Sequence, residues 1–213
     1  MNSPPTRIVL IDTNCFLRLY HSSVSPLMGQ DIGGYRLLTL ECLVDEFLNS
    51  PTLTTNYPWV ASEPKRSDLT NAKLKLGSPS KNRVKNEKKA LGPYANLLLE
   101  NYCKRSDITP RSLSSRDIEL LATTIVFKGI MATDEWPLRY VAQDLMQDDD
   151  EYAIGIFHSL ELLHLLEING KLSPDDRRNA VDSWVRYREN LLRGWEVEYQ
   201  RLFGESAGSL GRV

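Results

Sequence analysis

The chain has 213 residues, of which 41% are hydrophobic and 25% are charged, and its formal net charge is −2. This length suits one well-packed domain, and the near-neutral balance excludes a basic surface for nucleic acid that covers the whole chain. The three cysteines form no CxxC pair, and the three histidines show no zinc-ligand spacing. The first residues do not resemble a signal peptide, and no apolar run approaches the roughly 18 residues of a membrane span. We therefore expect a reduced, cytoplasmic protein without a membrane partner.

Short apolar runs alternate with helical patterns along the chain. Four branched aliphatic residues precede Asp12, which is typical of a parallel strand that is buried on both faces. Further strands are predicted at 36–40, 130–133 and 153–157, whereas residues 26–34 resemble a loop. The alternation predicts an α/β fold with a mostly parallel sheet. Because ligands bind beyond the carboxyl ends of such strands, Asp12 and the Asp134–Glu135 pair are expected at one edge.

Helices are predicted where apolar residues recur at three- and four-residue spacing. They cover residues 15–20, 41–48, 92–104, 116–128, 134–145, 159–170 and 174–203. Ser114 or Ser115 is expected to cap the helix over 116–128, with Gly129 at its C-terminus. Ser159 is expected to cap the helix over 159–170, and Ser173 the helix over 174–203. Residues 204–213 are expected to be disordered.

A basic segment separates the first two helical regions from the rest. Residues 61–90 contain nine lysines or arginines and three acids, so the segment carries about +6 and the remainder about −8. With few large apolar residues, it is predicted to be a mobile loop, which is either merely solvated or an arm for a phosphate backbone. The expected backbone-binding residues are Lys81, Arg83, Lys85, Lys88 and Lys89. The aromatic residues Trp184, Tyr187, Trp195 and Tyr199 are instead expected in the core or at an interface.

Five acids are candidates for a catalytic site: Asp12, Glu46, Asp117, Asp134 and Glu135. Taken singly, Asp117 and Asp134 can be helix caps, and Glu46 can be a solvated helix residue. Asp12 is different, because a carboxylate directly after a buried strand needs partners. Carboxylates that converge raise one another's pKa and need cations, and oxygen ligands without His or Cys favour Mg²⁺ or Mn²⁺. Such ions activate water and clamp a phosphate oxygen.

The order of these acids resembles the motifs of PIN-domain nucleases. Ile-Val-Leu-Ile-Asp12-Thr-Asn is similar to the opening motif, in which the aspartate is a metal ligand. Leu-Thr-Leu-Glu-Cys-Leu-Val-Asp-Glu46-Phe-Leu is similar to the second motif, and the segment from Ser114-Ser-Arg-Asp117 to Ala-Thr133-Asp134-Glu135 resembles the third and fourth. The fourth acid of the family is commonly an aspartate two residues after the threonine, where this chain has Glu135. Both Asp134 and Glu135 are therefore kept, and Asp134 is preferred for its shorter side chain and its position at the strand end.

The resemblance implies a PIN-like three-layer α/β/α fold. Residues 1–158 would form the nuclease core, with the basic insertion at 50–91, and 159–213 would be a C-terminal helical extension of the same domain. The implied activity is hydrolysis of RNA phosphodiester bonds by a Mg²⁺- or Mn²⁺-dependent endoribonuclease. All five acids would be catalytic, the metal ligands being Asp12, Asp117, Asp134 and Glu135, and Asn14 and Thr133 would contact the substrate.

Similarity to VapC-like toxin ribonucleases further implies a toxin–antitoxin system, with RNA as the substrate and a protein antitoxin and a second copy of the chain as partners. Two alternatives stay open. Asp12-Thr-Asn also resembles the nucleophile motif of haloacid-dehalogenase-like phosphatases, although those have Asp-x-Asp and this chain has Asn14 at the third position. A PIN fold with a shifted fourth acid could also be an inactive RNA-binding or scaffold protein.

Overall fold

The centre of the protein is a five-stranded sheet. The structure is a computed structural model that describes residues 6–21, 27–58, 62–63, 65–148 and 154–210. The strands are β1 (Arg7–Ile11), β2 (Asp31–Ile32), β3 (Tyr35–Leu38), β4 (Ile130–Ala132) and β5 (Gly155–Phe157), in the order β2-β3-β1-β4-β5. All neighbouring strands pair in parallel except β2, which is antiparallel to β3. The predicted α/β fold with a mostly parallel sheet is confirmed, although β2 lies in a segment expected to be loop.

Strand β1 lies between β3 and β4 and is buried on both faces, as predicted. Val9, Leu10 and Ile11 have no exposed surface. Side chains alternate along a strand, so Val9 and Ile11 join one hydrophobic core and Leu10 joins the other. Two cores on opposite faces are what a sheet between two helical layers requires. The architecture is therefore compatible with a three-layer α/β/α fold.

Ten α-helices are present in the described part of the chain. They are α1 (Thr13–His21), α2 (Glu41–Asn49), α3 (Pro51–Asn56), α4 (Lys65–Asn71), α5 (Ser78–Ser106), α6 (Ser115–Phe127), α7 (Trp136–Asp148), α8 (Ser159–Ile168), α9 (Pro174–Arg186) and α10 (Trp195–Phe203). Helices α1, α8, α9 and α10 contribute to the core that contains Val9, and α5, α6 and α7 to the core that contains Leu10. None of the described helices has the length and apolarity that a membrane crossing needs.

The basic segment is helical, so the prediction of a mobile loop is wrong for its described residues. Helix α4 and the first half of α5 occupy most of it, and α5 begins at Ser78 rather than at residue 92. Val84, Leu91 and Ala95 are buried at spacings of seven and four residues, which gives α5 one narrow apolar stripe. The stripe packs on α6 and α7, so tertiary contacts stabilise a helix whose composition is mostly polar.

Local capping signals are confirmed at some helix ends and corrected at others. Ser114 caps α6, and its hydroxyl accepts the N–H of Asp117 at 3.1 Å. At the other end Lys128, rather than Gly129, takes the left-handed conformation, with φ of 48°. A side chain at Gly129 would place its Cβ 2.9 Å from the backbone oxygen of Ile8, so close packing requires that glycine. Helix α8 is capped by His158 and not by Ser159.

The C-terminal region differs from the single long helix that was predicted. Helix α9 ends at Arg186, and α10 begins only after Gly194, whose φ is +77°. The expectation of a disordered tail is wrong up to residue 210, because Glu205 accepts hydrogen bonds from Arg177 and Arg178 and a 3₁₀ turn follows at Ala207–Ser209. Residues 211–213 lie outside the described part. Of the four aromatic residues, Trp184 and Tyr199 are buried, Trp195 packs against the core and Tyr187 is exposed.

A buried ion pair joins this C-terminal region to the sheet. Arg18 of α1 and Asp134, just beyond β4, form the pair, and each is less than a tenth exposed. The guanidinium also donates to the Ser159 hydroxyl at 2.9 Å and to the Asn190 backbone oxygen at 3.1 Å. The Trp184 indole donates to the Arg18 backbone oxygen at 2.9 Å. Arg18 thereby connects the residue after β4, the start of α8 and the segment after α9.

We predict that Asp134→Asn lowers the free energy of unfolding by about 3 kcal/mol, because it leaves a buried guanidinium without its main counter-charge. Glu189, 3.9 Å from Arg18, compensates only in part because it is partly exposed. The control is Glu100→Gln, which removes an exposed pair with Lys104 and should cost less than about 0.5 kcal/mol. Urea denaturation in chelator measures both variants, and equal small losses would contradict the structural role of Asp134.

Candidate functional site

A cavity of about 550 Å³ lies at the carboxyl edge of the sheet. Four of the five predicted acids line it: Asp12 after β1, Glu46 on α2, Asp117 on α6 and Glu135 after β4. Parallel pairing of β1 with β4 brings the first and last of these together, as the sequence predicted. Arg116 is the one basic residue among those that line the cavity. The site therefore has an excess of negative charge.

Asp12 is the most buried of the cavity acids, with 6% of its surface exposed. Burial is the main cause that raises its pKa to about 7. Its carboxylate accepts the hydroxyl of Thr133 and the backbone N–H of Cys15, the latter at 2.8 Å, and both bonds lower the pKa. The neighbouring carboxylates of Asp134 and Glu135 raise it again. A cation next to Asp12 would favour the ionised form.

Glu135 extends the acidic surface from Asp12 toward α6. Burial raises the pKa of Glu135, the nearby Asp117 carboxylate adds to that effect, and a hydrogen bond from the Asn14 amide opposes it. Asn14 lines the same cavity and donates to the Glu135 carboxylate. Asn14 therefore orients an acid of the site.

The other two cavity acids combine a local role with their place at the site. Asp117 completes a capping box, in which its carboxylate accepts the backbone N–H of Ser114 at 2.8 Å. Glu46 accepts a hydrogen bond from Arg116 at 2.8 Å, and both side chains are partly exposed. The capping role that the sequence suggested for Asp117 is thus confirmed.

Asp134 does not line the cavity, so this geometry favours Glu135 over the preferred Asp134 as the fourth acid. Its carboxylate pairs with Arg18 and accepts both the hydroxyl and the backbone N–H of Ser159, the N–H at 3.2 Å. Asp134 thus turns toward α1 and α8, whereas Glu135 turns toward the cavity. Thr133 is fully buried, and its hydroxyl also accepts the Glu135 N–H at 3.1 Å. Thr133 therefore positions both acids, whereas the predicted contact with a substrate would need its side chain to become exposed.

The chemistry of the cavity donors fits a hard divalent cation, because every candidate ligand is a carboxylate or amide oxygen. The carboxylates of the cavity do not form a compact cluster. Within the described ranges, the one group of three acidic, His or Cys ligands with all atoms within 4.8 Å is His158, Glu161 and Glu198, which lies elsewhere. The wider spacing of the cavity acids leaves room for the waters that Mg²⁺ usually retains.

The predicted substrate-binding lysines do not surround this cavity. Lys81, Lys85 and Lys88 line a second cavity, and Arg83 and Lys89 line neither. The cation at the acidic site is Arg116, which the sequence analysis did not select. The sequence signal for Arg116 was its position next to Asp117 at the start of a helix. When the first turn of a helix places one acid in a site, the adjacent residues of that turn lie near the rim of the site.

We predict that Asp12→Asn stabilises the metal-free protein above pH 7. A carboxyl whose pKa rises from 3.8 to about 7 on folding binds its proton more tightly in the folded state. Stability therefore falls as the pH rises from about 4 to about 7, by up to about 4 kcal/mol. The asparagine removes this loss and can still accept the Cys15 N–H and donate to Thr133.

Unfolding free energies of wild type, Asp12→Asn and the control Asp45→Asn are to be compared at pH 4 and pH 8 in chelator. Asp45 lies on α2 next to Glu46, but it is largely exposed and pairs with Lys73 at 3.6 Å. The advantage of Asp12→Asn over wild type should appear at pH 8 and vanish at pH 4. A loss of stability at both values would show that Asp12 is needed as a charged hydrogen-bond acceptor.

Comparison with known proteins leaves the family open. No protein-family model matches the chain, and neither a curated protein nor a solved structure matches it significantly. The likeness to PIN domains therefore depends on the motifs around Asp12, Glu46, Asp117 and Glu135, and the function has to be argued from the geometry of the acidic cavity.

Proposed function

We propose that the protein is a metal-dependent endoribonuclease that hydrolyses RNA phosphodiester bonds. The observation that carries this proposal is the convergence of four carboxylates on one cavity at the carboxyl edge of a parallel sheet. Such an edge is where α/β folds bind ligands, and so much negative charge at one place needs a cation. The order of the acids along the chain, which resembles the PIN motifs, directs the proposal to RNA.

In this proposal Asp12, Asp117 and Glu135 hold Mg²⁺ or Mn²⁺, and Glu46 lies at the rim. When bound, the ion supplies a Lewis acid for a phosphate oxygen and lowers the pKa of a bound water. The protein keeps the carboxylates in place: Thr133 and the Cys15 N–H hold Asp12, and Asn14 holds Glu135.

Arg116 has a different part in the proposed site. It is about half exposed and pairs with Glu46 at the cavity wall. A guanidinium there can exchange its carboxylate partner for a phosphate oxygen, since both accept its N–H groups in the same planar geometry. Arg116 would then neutralise substrate charge where the acids repel it.

The cavity rim also suits a ribose. Side chains of the segment around α3 line it with hydroxyl and amide groups, among them Thr52, Asn56 and Tyr57. Hydroxyl and amide groups recognise a 2′-hydroxyl, which distinguishes RNA from DNA. The resemblance to VapC-like toxins extends the proposal to a cytoplasmic toxin with a protein antitoxin and a homodimeric state.

An inactive RNA-binding scaffold is the second candidate function. It is favoured by the protein partners that three of the acids have: Ser114 for Asp117, Arg116 for Glu46 and Asn14 for Glu135. A cavity that only needed to be stable would show the same bonds. Cleavage with and without metal separates the two functions.

We predict that the purified protein cleaves single-stranded RNA with Mg²⁺ or Mn²⁺ and stops in EDTA. Asp12→Asn and Glu135→Gln should each lower the cleavage rate at least about a hundredfold, because each removes a metal ligand. Gel analysis of a labelled RNA under single-turnover conditions measures the rates.

The matched control is Asp45→Asn, which removes an acid of α2 that lies next to Glu46 but does not line the acidic cavity. It should retain the wild-type rate. Metal-dependent binding of RNA without cleavage would favour the scaffold, and cleavage that persists in EDTA would exclude metal-assisted hydrolysis.

A further inference from the structure

A second cavity, of about 790 Å³, has the opposite charge to the first. Five lysines line it, from the segment after α4 (Lys73 and Lys75) and from α5 (Lys81, Lys85 and Lys88). Glu41 and Glu119 are the two acids among the lining residues, so the lining carries a formal +3. We call it the lysine cavity. Its volume is in the range of sites for small molecules and cofactors.

The lysines of this cavity are not equally available. Lys88 pairs with Glu119 at 2.7 Å and Lys73 approaches Asp45 at 3.6 Å. Among the described residues, no carboxylate oxygen lies within 4.0 Å of the ammonium groups of Lys75, Lys81 or Lys85. These three lysines are exposed, so their ammonium groups are available to an anion, and the formal charge of the lining stays positive with Glu41 and Glu119 included.

Local structure fixes the arrangement of these lysines. Lys81, Lys85 and Lys88 are spaced by four and three residues on α5, so they lie on one face of the helix. The opposite wall is held by an extension of the sheet, in which Thr39 donates its N–H to Ala72 at 2.9 Å and accepts that of Leu74 at 2.8 Å. These bonds place Lys73 and Lys75 across from α5. The lysines therefore lie on two opposite walls of the cavity, one formed by α5 and the other by the segment that is hydrogen-bonded to Thr39.

The cavity is apolar as well as basic. Leu40, Leu74, Leu76 and Val84 also line it, and Val84 is part of the buried stripe of α5. A cavity for inorganic anions would need only the cations. Ammonium groups beside aliphatic side chains suit a ligand that has phosphates at one end and a flat apolar surface at the other.

We propose that the lysine cavity binds a nucleoside phosphate, with the phosphates on Lys75, Lys81 and Lys85 and the base against Leu74 and Leu76. A free nucleotide and the 5′-phosphorylated end of an RNA strand share the chemistry that the cavity recognises, and the test below distinguishes them. This inference does not depend on the proposed nuclease activity. The proposed site also differs from the basic arm that the sequence predicted, because it is a discrete cavity whose lining does not include Arg83 and Lys89.

The test is isothermal titration calorimetry in EDTA, where the acidic cavity holds no cation and repels anions. The ligands are ATP, inorganic tripolyphosphate and a 5′-phosphorylated tetrauridylate. In the double variant Lys81→Gln/Lys85→Gln, the affinity for the tighter of the two nucleotide ligands should fall about tenfold or more, because two charge-assisted hydrogen bonds are lost. Lys81→Arg/Lys85→Arg should retain binding.

The matched control is Arg83→Gln/Lys89→Gln, which removes the same charge from the same helix outside the cavity lining. Its affinity should change by less than about twofold, and circular dichroism should show that all variants keep their helices, since Gln and Lys have similar helix propensity. Tighter binding of ATP than of the oligonucleotide identifies a free nucleotide as the ligand, and the reverse identifies an RNA end. Equal losses in the two Gln variants, equal affinity for ATP and tripolyphosphate, or no binding of either nucleotide ligand would overturn the proposal.

Discussion

The burial of one carboxylate at the end of the central strand organises the rest of the structure. Asp12 directly follows β1, whose side chains belong to the two hydrophobic cores on either face of the sheet. Desolvation at this position raises the pKa of Asp12 to about 7. The parallel register, in which Ile11 faces Ala132, brings Thr133 next to it, and the first turn of α1 supplies the N–H of Cys15. These two donors only partly replace the lost water, so the site favours any ligand that brings positive charge.

The two acids that follow β4 differ in role: Asp134 stabilises the fold, whereas Glu135 faces the cavity. Asp134 is fully engaged by Arg18 and Ser159, and that ion pair holds the C-terminal helices on the sheet. Among the described residues, the Glu135 carboxylate has the Asn14 amide as its hydrogen-bond partner, and Glu135 lines the cavity. An ion bound near Glu135 would therefore not compete with the bonds that secure the fold. The geometry separates the two roles although the residues are neighbours in sequence.

The sequence predicted what local patterns determine, and it failed where tertiary contacts decide. The run before Asp12 predicted a doubly buried strand, and Ser114 predicted the start of α6, because both signals act within a few residues. The first half of α5 was missed, because its few buried side chains, such as Val84 and Leu91, are separated by exposed cations and pack against helices that are distant in sequence. The choice between Asp134 and Glu135 depended on Arg18, whose place beneath the strand end no spacing in the sequence reveals.

Helices α2 and α6 form walls of both cavities and separate their charges. Helix α2 presents Glu41 to the lysine cavity and Glu46 to the acidic one, and at 100° per residue these positions are about 140° apart around the axis. Helix α6 presents Glu119 and Asp117 in the same way, about 160° apart. The acids of the two helices therefore face different cavities, and salt screens the interaction between the exposed charges of the two linings. Under the two proposals, a phosphate-bearing ligand would be attracted to the lysine cavity without metal, whereas the acidic cavity would accept it only after a cation has bound. The two sites would then not need to be filled under the same conditions.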